Sequence, residues 1–266
     1  MKVVWIGAGN IATQLGMALA HGGHETLQVF SRTLASASVL AERLGCDATD
    51  NPDAVVAGAD VYLFAVKDSV LESLIARIVP RVGEALFLHT AGSMPMAVFE
   101  ASTSRYGVMY PMQTFTKDRP VDFSEIPFFI EGCDRDTYER IKLLAETVSQ
   151  RVIFVSTEQR RVLHLAAVFA CNFVNHCYAL SEELLQREGI PFDVMWPLID
   201  ETARKVHYFS PRKAQTGPAV RYDRNVINRQ LQMLEGEPEM RELYRKLSQS
   251  IHNWAFKKKG YTDDKL

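Results

Sequence analysis

The chain has 266 residues, of which 47% are hydrophobic and 23% charged, as in ordinary soluble globular proteins with room for two compact units. The formal net charge of −2 gives no positive electrostatic field that would attract a polyanion, so nucleic acid and anionic membranes are poor candidate partners. No apolar run is expected to span a bilayer, and the first predicted strand leaves no room for a signal peptide. Four cysteines without Cys-x-x-Cys spacing indicate a reducing, cytoplasmic setting.

The amino-terminal segment carries the most informative motif of the sequence. Residues 2–6 are apolar with β-branched members and predict a buried strand, and Gly7-Ala8-Gly9-Asn10-Ile11-Ala12 precedes a helical pattern. A strand, a Gly-x-Gly-x-x-Gly/Ala turn and a helix together predict a dinucleotide site. Gly7 permits the tight turn, Gly9 lets the backbone approach a pyrophosphate, and Ala12 allows close helix packing. The helix N-terminus then offers N–H groups to the phosphates.

The end of the second predicted strand indicates which dinucleotide is bound. Residues 26–30 are extended and are followed by Ser31, Arg32 and Thr33, where an NAD site usually carries Asp or Glu. A guanidinium flanked by two hydroxyls suits a 2′-phosphate, because Arg can bind it through two parallel hydrogen bonds. The sequence therefore predicts NADP(H). The alternative is that Arg32 is a solvated residue at the start of the next helix.

The third long apolar run is typical of a central parallel strand, covered on both faces. It spans residues 60–66 and ends at Lys67 and Asp68. Ligands of open α/β sheets bind outside the carboxyl ends of the strands, which places Ala65, Val66 and Lys67 at the cofactor. Lys67 is equally explained as an ordinary strand-end lysine, and Asp68 is predicted to cap a helix over residues 69–78.

A small polar segment follows the next predicted strand, residues 84–89. It comprises His89, Thr90, Ala91, Gly92 and Ser93 at the same sheet edge. Hydroxyls, amides and glycine backbone suit a nicotinamide ring, so residues 90–93 are candidate cofactor ligands. The same residues also fit a plain turn in which Ser93 caps a helix that begins at Pro95.

The remaining pattern divides the chain into residues 1–155 and 156–266. Alternating elements predict a doubly wound, mostly parallel sheet in the first part, and no strand is expected after residue 155. The helix over residues 158–186 would be about 40 Å long at 1.5 Å per residue, so part of it should span both domains or pack on a partner subunit. The other predicted elements are helices at 35–44, 53–57, 135–148, 192–208, 223–234 and 238–256, strands at 106–109, 126–132 and 151–155, a loop at 210–218 and a charged tail at 257–266.

The chain resembles a family over nearly its whole length. It is similar to Rossmann-like proteins with a helical C-terminal domain called DUF2520, relatives of pyrroline-5-carboxylate reductase, prephenate dehydrogenase and 6-phosphogluconate dehydrogenase-like enzymes. The landmarks are the glycine turn, Ser31-Arg32-Thr33, Ala65-Val66-Lys67-Asp68, His89-Thr90-Ala91-Gly92-Ser93, Pro111-Met112-Gln113-Thr114-Phe115, His164-Leu165-Ala166-Ala167 with Asn172, and Thr216-Gly217-Pro218. The resemblance implies an all-α C-terminal domain like that of 6-phosphogluconate dehydrogenase and an NADP cofactor, but no particular substrate. Tyr110 stands where the family pattern has His, and Arg221-Tyr222-Asp223 stands where it has Arg-Gly-Asp.

Three residues are candidates for handling the proton and the substrate. His164, Val168, Asn172 and Asn175 recur at helical spacing and predict one stripe on the long helix. In the resembled dehydrogenases a Lys and an Asn on this helix act as acid/base and anchor, which implies these roles for His164 and Asn172. Tyr110, with an ordinary pKa of about 10, suits a proton donor. The alternative is that His164 and Asn172 are hydrogen-bonded core residues, while Asn175 and its neighbour belong to a subunit interface.

The sequence therefore predicts an NADP(H)-dependent oxidoreductase acting on a small polar carbonyl, imine or hydroxy acid in an interdomain cleft. The helical domain is expected to form a homodimer. A non-catalytic NADPH-binding sensor is the alternative, since the chain shows no strong acid–base pair. No metal site is predicted, because His21 and His24 lack a nearby acidic partner.

Overall fold

The computed structural model describes residues 1–256, and its centre is an eight-stranded sheet. The strand order is β3-β2-β1-β4-β5-β6-β7-β8, and the β6–β7 pair alone among these neighbours is antiparallel. The strands are β1 (Lys2–Ile6), β2 (Glu25–Phe30), β3 (Asp47–Thr49), β4 (Val61–Phe64), β5 (Leu86–His89), β6 (Tyr106–Pro111), β7 (Phe128–Gly132) and β8 (Val152–Phe154). The mostly parallel, doubly wound sheet predicted from the sequence is confirmed.

Helices cover both faces of the sheet, which explains why its central strands are apolar throughout. Successive side chains of a strand point to opposite faces, so Val3 and Trp5 belong to one core and Val4 and Ile6 to the other. The helices around the sheet are α1 (Asn10–His21), α2 (Leu34–Leu44), α3 (Asp68–Val82), α4 (Arg135–Glu146) and α5 (Thr157–Ala167). The first core contains residues of α1, α2 and α4, and the second contains residues of α3.

Two predicted helix caps are wrong, and the two residues hydrogen-bond each other instead. Helix α3 begins at Asp68 itself, with Lys67 as the N-cap residue, so Asp68 lies in the first turn. Ser93 caps no helix, since a 3-10 turn at Met96–Phe99 follows Pro95 instead. The Ser93 hydroxyl donates a hydrogen bond to the Asp68 carboxylate, which joins the start of α3 to the loop that follows β5.

Smaller differences concern short elements. The helix predicted at residues 53–57 is a 3-10 turn, Pro52–Ala54, with the Asn51 side chain accepting from Asp53 N. Strand β3 has only three residues and was not predicted, because so short a segment shows no periodicity.

The long helix is continuous from Thr157 to Arg187 but is not α-helical throughout. A π-helical segment, Val168–Phe173, separates α5 from α6 (Val174–Arg187). Over 18 residues this helix reaches a mean hydropathy of 1.3, which meets the length and composition criteria for a membrane span. The expectation that no segment would do so is wrong. The helix is only weakly apolar, however, and His164 within it hydrogen-bonds Tyr110 of the sheet.

Residues 1–173 form one compact unit, and the second unit begins at Val174. The described part of the second unit is helical: α6, α7 (Trp196–Tyr208), α8 (Pro211–Ala214), α9 (Pro218–Arg221), α10 (Arg224–Met233) and α11 (Pro238–Phe256). Pro197 lies in the first turn of α7 and delays its start, after a 3-10 turn at Phe192–Met195. The segment predicted as a polar loop contains the short helix α8 and the start of α9. The predicted charged tail, residues 257–266, lies outside the described residues.

Candidate functional site

A cavity of about 680 Å³ opens at the carboxyl edge of the sheet, within residues 1–173. It follows the ends of β1, β4, β5 and β6, which are neighbours in the sheet. Its walls are residues 9–11, 65–68, 90–93, 110, 112–115, 164, 167 and 170–172. The strand ends of a parallel sheet meet at one edge, which is why motifs far apart in sequence converge here.

The glycine turn has the geometry that a dinucleotide requires. Gly7 has φ +120°, and a Cβ there would clash with the Ala65 carbonyl, so the turn tolerates only glycine. Gly9 is the N-cap of α1, and a Cβ built on it would meet no protein atom within 4 Å. The absence of a side chain at Gly9 therefore leaves open space beside the free N–H groups of α1, as pyrophosphate binding requires.

Helix α1 also holds one wall of the cavity. The Asn10 side chain donates to the Phe115 carbonyl at 2.7 Å, and Gln14 donates to the Thr116 carbonyl at 2.7 Å. Asn10 was predicted to contact the cofactor; in the structure it lines the cavity, and its amide anchors the loop after β6. Gln14 was not predicted at all, since a glutamine in a helix carries no positional signal.

The segment predicted to select NADP adjoins the glycine turn. The backbone N–H of Gly7 donates to the Phe30 carbonyl at 2.8 Å, so the end of β2 lies beside the turn. The Thr33 hydroxyl caps α2 by accepting from Ser36 N, while Arg32 is exposed. Five predicted cofactor residues lie outside the cavity walls: Gly7, Ala12, Ser31, Arg32 and Thr33.

A buried, neutral histidine holds the loop after β5 in its conformation. His89 is fully buried, and its Nδ1 accepts a hydrogen bond from Ala91 N at 3.1 Å. Its Nε2 therefore carries the hydrogen and donates to the Pro95 carbonyl at 3.3 Å. Burial lowers the pKa of His89 to about 3, and the nearby positive charge of Arg160 acts in the same direction. The imidazole thus stays neutral near pH 7 and braces the loop that carries Thr90, Ala91, Gly92 and Ser93.

A tyrosine–histidine pair lines the cavity at the end of β6, three strands along the sheet from β1. Tyr110 Oη is 3.1 Å from His164 Nδ1, and the two rings meet edge to face. Burial raises the pKa of Tyr110, and the Arg160 charge opposes that rise only in part. The hydroxyl therefore remains protonated at neutral pH and is able to donate a proton.

The π-helical segment decides which residues of the long helix reach the cavity. His164, Ala167, Ala170, Cys171 and Asn172 line it. Among the described residues of the first unit, Val168 does not line it, so the stripe predicted from α-helical spacing is wrong at this position. A π turn is wider than an α turn, and it shifts the register of the residues that follow. His164 and Asn172 nevertheless both line the cavity.

Two family models match separate parts of the chain. One, a domain of unknown function called DUF2520, matches residues 126–251. The other, described as NADP oxidoreductase coenzyme F420-dependent, matches residues 2–88. The comparison with curated proteins gives no significant match.

Solved structures provide the more extensive comparison. The "putative NADP oxidoreductase BF3122 from Bacteroides fragilis" is 52% identical, with a TM-score of 0.92 over 95% of this chain and 98% of that one. An imine reductase from Myxococcus stipitatus in complex with NADP+ shares the fold at 17% identity, with a TM-score of 0.66 over 96% and 93% of the two chains. A pyrroline-5-carboxylate reductase from Coxiella burnetii does so at 19% identity, with a TM-score of 0.57 over 95% and 96%. The chain therefore belongs to the DUF2520-containing family of Rossmann-type NADP oxidoreductases.

Proposed function

We propose that the chain transfers hydride between NADP(H) and a small polar carbonyl, imine or hydroxy acid held in the cavity. The observation that carries the proposal is that one cavity joins the Gly9 corner to the Tyr110–His164 pair. The coenzyme supplies the hydride, and the protein must bind it, orient the substrate and handle the accompanying proton. A phosphate-binding turn at one end and a proton donor at the other match these tasks.

The coenzyme would lie across the strand ends from β2 to β5. Gly9 and the start of α1 would receive the pyrophosphate, and Ser31 and Arg32 the 2′-phosphate. The nicotinamide would then lie beside the loop that carries Gly92, next to Tyr110. Lys67 lies on the rim between these two ends, where its ammonium group would favour an anionic ligand.

Each residue near the reacting centre has a distinct role in the proposal. In the reductive direction, Tyr110 would give its proton to the substrate oxygen or nitrogen whose neighbouring carbon is reduced. His164 holds the tyrosine hydroxyl in place. It would restore the proton by giving its Nδ1 hydrogen to the tyrosine oxygen while Nε2 takes a proton from water. Asn172 offers an amide that donates to or accepts from a polar group of the substrate.

Oxidation of NADPH at 340 nm against a panel of keto acids and cyclic imines tests the proposal. Coenzyme binding is measured separately by the change in NADPH fluorescence. We expect both binding and oxidation of NADPH with at least one substrate class. Binding without oxidation across a broad panel would instead favour the non-catalytic sensor, and no binding at all would contradict both functions.

We also propose a homodimer formed through the helical region. Helices α6 and α7 have 14 and 13 residues, and within the described chain neither contains a buried residue. Trp196 and Leu198 of α7 are 61% and 62% exposed. Most of the stability of a helix comes from packing its apolar face, so these helices need a partner surface. A second copy supplies the same apolar surface through a symmetric interface.

The dimer has a direct test. Light scattering at micromolar concentration should give twice the 30.0 kDa mass of the chain. Replacing Leu198 by glutamate would bury a charge in the interface, and we expect this variant to be monomeric or markedly less stable. A wild-type protein that runs as a 30.0 kDa monomer would contradict the proposal.

The reducing cytoplasm remains the proposed location. All four cysteines are free thiols: Cys46, Cys133, Cys171 and Cys177. Oxidising compartments favour paired cysteines, whereas a thiol that lines the cavity, as Cys171 does, is best preserved in a reducing one.

A further inference from the structure

A fully buried guanidinium lies directly behind the cavity. Arg160, in α5, has 0% relative exposure, which is rare for arginine unless its charge is paired. Its Nη1 donates to the carbonyls of Ala91, Gly92 and Met94 at 2.9, 3.1 and 2.7 Å. One side chain thus holds the loop whose residues 91–93 line the cavity.

The same guanidinium is paired with a carboxylate on the sheet. Arg160 Nη2 lies 3.2 Å from Glu131 Oε2, and Glu131 is 8% exposed. The carboxylate also accepts from Thr157 N at 2.9 Å and from the Thr157 hydroxyl at 2.8 Å. A carboxylate at a helix N-terminus is favoured by the helix dipole. Glu131 therefore fixes the first turn of α5 to β7, while Arg160 fixes the helix to the loop.

This arrangement determines where His164 lies. His164 is one turn after Arg160 on α5, and a Cβ built on Gly92 would lie 2.5 Å from its Nδ1 and 2.6 Å from its Cγ. The loop and the imidazole are therefore in contact as closely as a glycine allows. A small change in the separation of α5 and the loop would move His164 Nδ1 away from Tyr110 Oη.

We propose that Arg160, with Glu131 as its counter-charge, is a positioning residue that holds the 91–94 loop and α5 at the separation the Tyr110–His164 pair requires. The claim that this positioning supports catalysis rests on the proposed function. Arg160 makes no hydrogen bond to Tyr110, so apart from the effect of its charge on the Tyr110 pKa it acts through the loop and the helix. Lysine does not replace it fully, because an ammonium group cannot span the loop carbonyls and the carboxylate as a planar fork does.

Two near-isosteric variants and one control test the proposal. Arg160→Lys keeps the charge but loses the fork, and Glu131→Gln removes the counter-charge. The control, Arg77→Lys, removes a similar fork on the surface, where Arg77 donates to Asp53 through Nε and Nη2 at 2.9 and 2.6 Å. In Arg160→Lys we expect kcat to fall about tenfold or more, since small misplacements of reacting groups have effects of this size.

Which of the measured quantities changes in the variants separates a positioning role from a general loss of stability. The Kd for NADPH should stay within about threefold of wild type, since Gly9 and Arg32 are at the other end of the site. Amide hydrogen exchange over residues 90–95 should accelerate in both variants but not in the control. Unchanged kcat and exchange in both variants would overturn the proposal. A variant in which NADPH affinity and Tm fall together with kcat would also overturn it, because such a result would show a merely structural role.

Failure of the proposed function gives a different result. If wild-type protein binds NADPH but does not oxidise it with any substrate tested, the proposed reaction is refuted. The exchange measurement then still tests whether Arg160 holds the loop. Faster exchange over residues 90–95 in Arg160→Lys would then support its hold on the loop. Exchange equal to that of Arg77→Lys would refute it.

Discussion

Replacing Gly9 by alanine is expected to weaken NADPH binding about tenfold or more while Tm stays unchanged. A Cβ on Gly9 meets no protein atom within 4 Å, and φ −80° is acceptable for any residue. The added methyl group therefore meets no clash in the folded protein. It would occupy the space that the pyrophosphate needs, so the whole loss should appear in coenzyme affinity, measured by NADPH fluorescence.

The matched control is Gly7→Ala, two residues earlier in the same turn. Here φ is +120° and the new Cβ would clash with the Ala65 carbonyl, a backbone atom that cannot move away cheaply. We expect Tm to fall sharply, since such strain together with a steric clash destabilises by several kcal/mol, roughly. A Gly9→Ala protein that binds NADPH like wild type would mean that the phosphates lie elsewhere.

Tyr110→Phe should lower kcat by about 10²- to 10⁴-fold, the usual contribution of a general acid. The substitution removes the hydroxyl that lies 3.1 Å from His164 Nδ1 and leaves the ring in its place. The KM for NADPH should change little, because the phosphate-binding residues are untouched. Steady-state oxidation of NADPH at 340 nm measures both constants.

Tyr106→Phe, on the same strand, provides the control and should retain wild-type kcat. The pH profile adds a second check. Burial raises the pKa of Tyr110, and the reaction requires the protonated hydroxyl, so kcat should decline only above the ordinary tyrosine value of about 10. A decline between pH 7 and 8, or a Tyr110→Phe variant with wild-type kcat, would identify another proton donor.

The parts of the fold that were predicted correctly have strong local signals. Strands β1 and β4 are apolar because helices cover both of their faces, and the glycine turn lies where a strand meets a helix. One kind of error occurs where residues distant in the sequence compete for the same group. Asp68 was predicted to cap a helix, but in the structure its carboxylate accepts a hydrogen bond from Ser93, a partner 25 positions away.

The site was predictable to the extent that the strand ends determine it. The end of β5 and the end of β6 both line the cavity, as do His164 and Asn172. The π-helical segment was not predictable, because its residues Val168–Phe173 are as compatible with an ordinary helix. Arg160 and Glu131 were also missed, since charged residues are usually solvated and nothing in a sequence marks a buried pair.

The affinities of wild type and Arg32→Ala for NADPH and NADH test the central claim, that this sheet edge binds NADP(H) and recognises its 2′-phosphate by a guanidinium. Wild type should prefer NADPH. Arg32→Ala should weaken NADPH about tenfold or more, the scale of a lost charge-assisted bidentate contact, and leave NADH within about twofold. Equal losses for the two coenzymes, or no loss for either, would contradict the account.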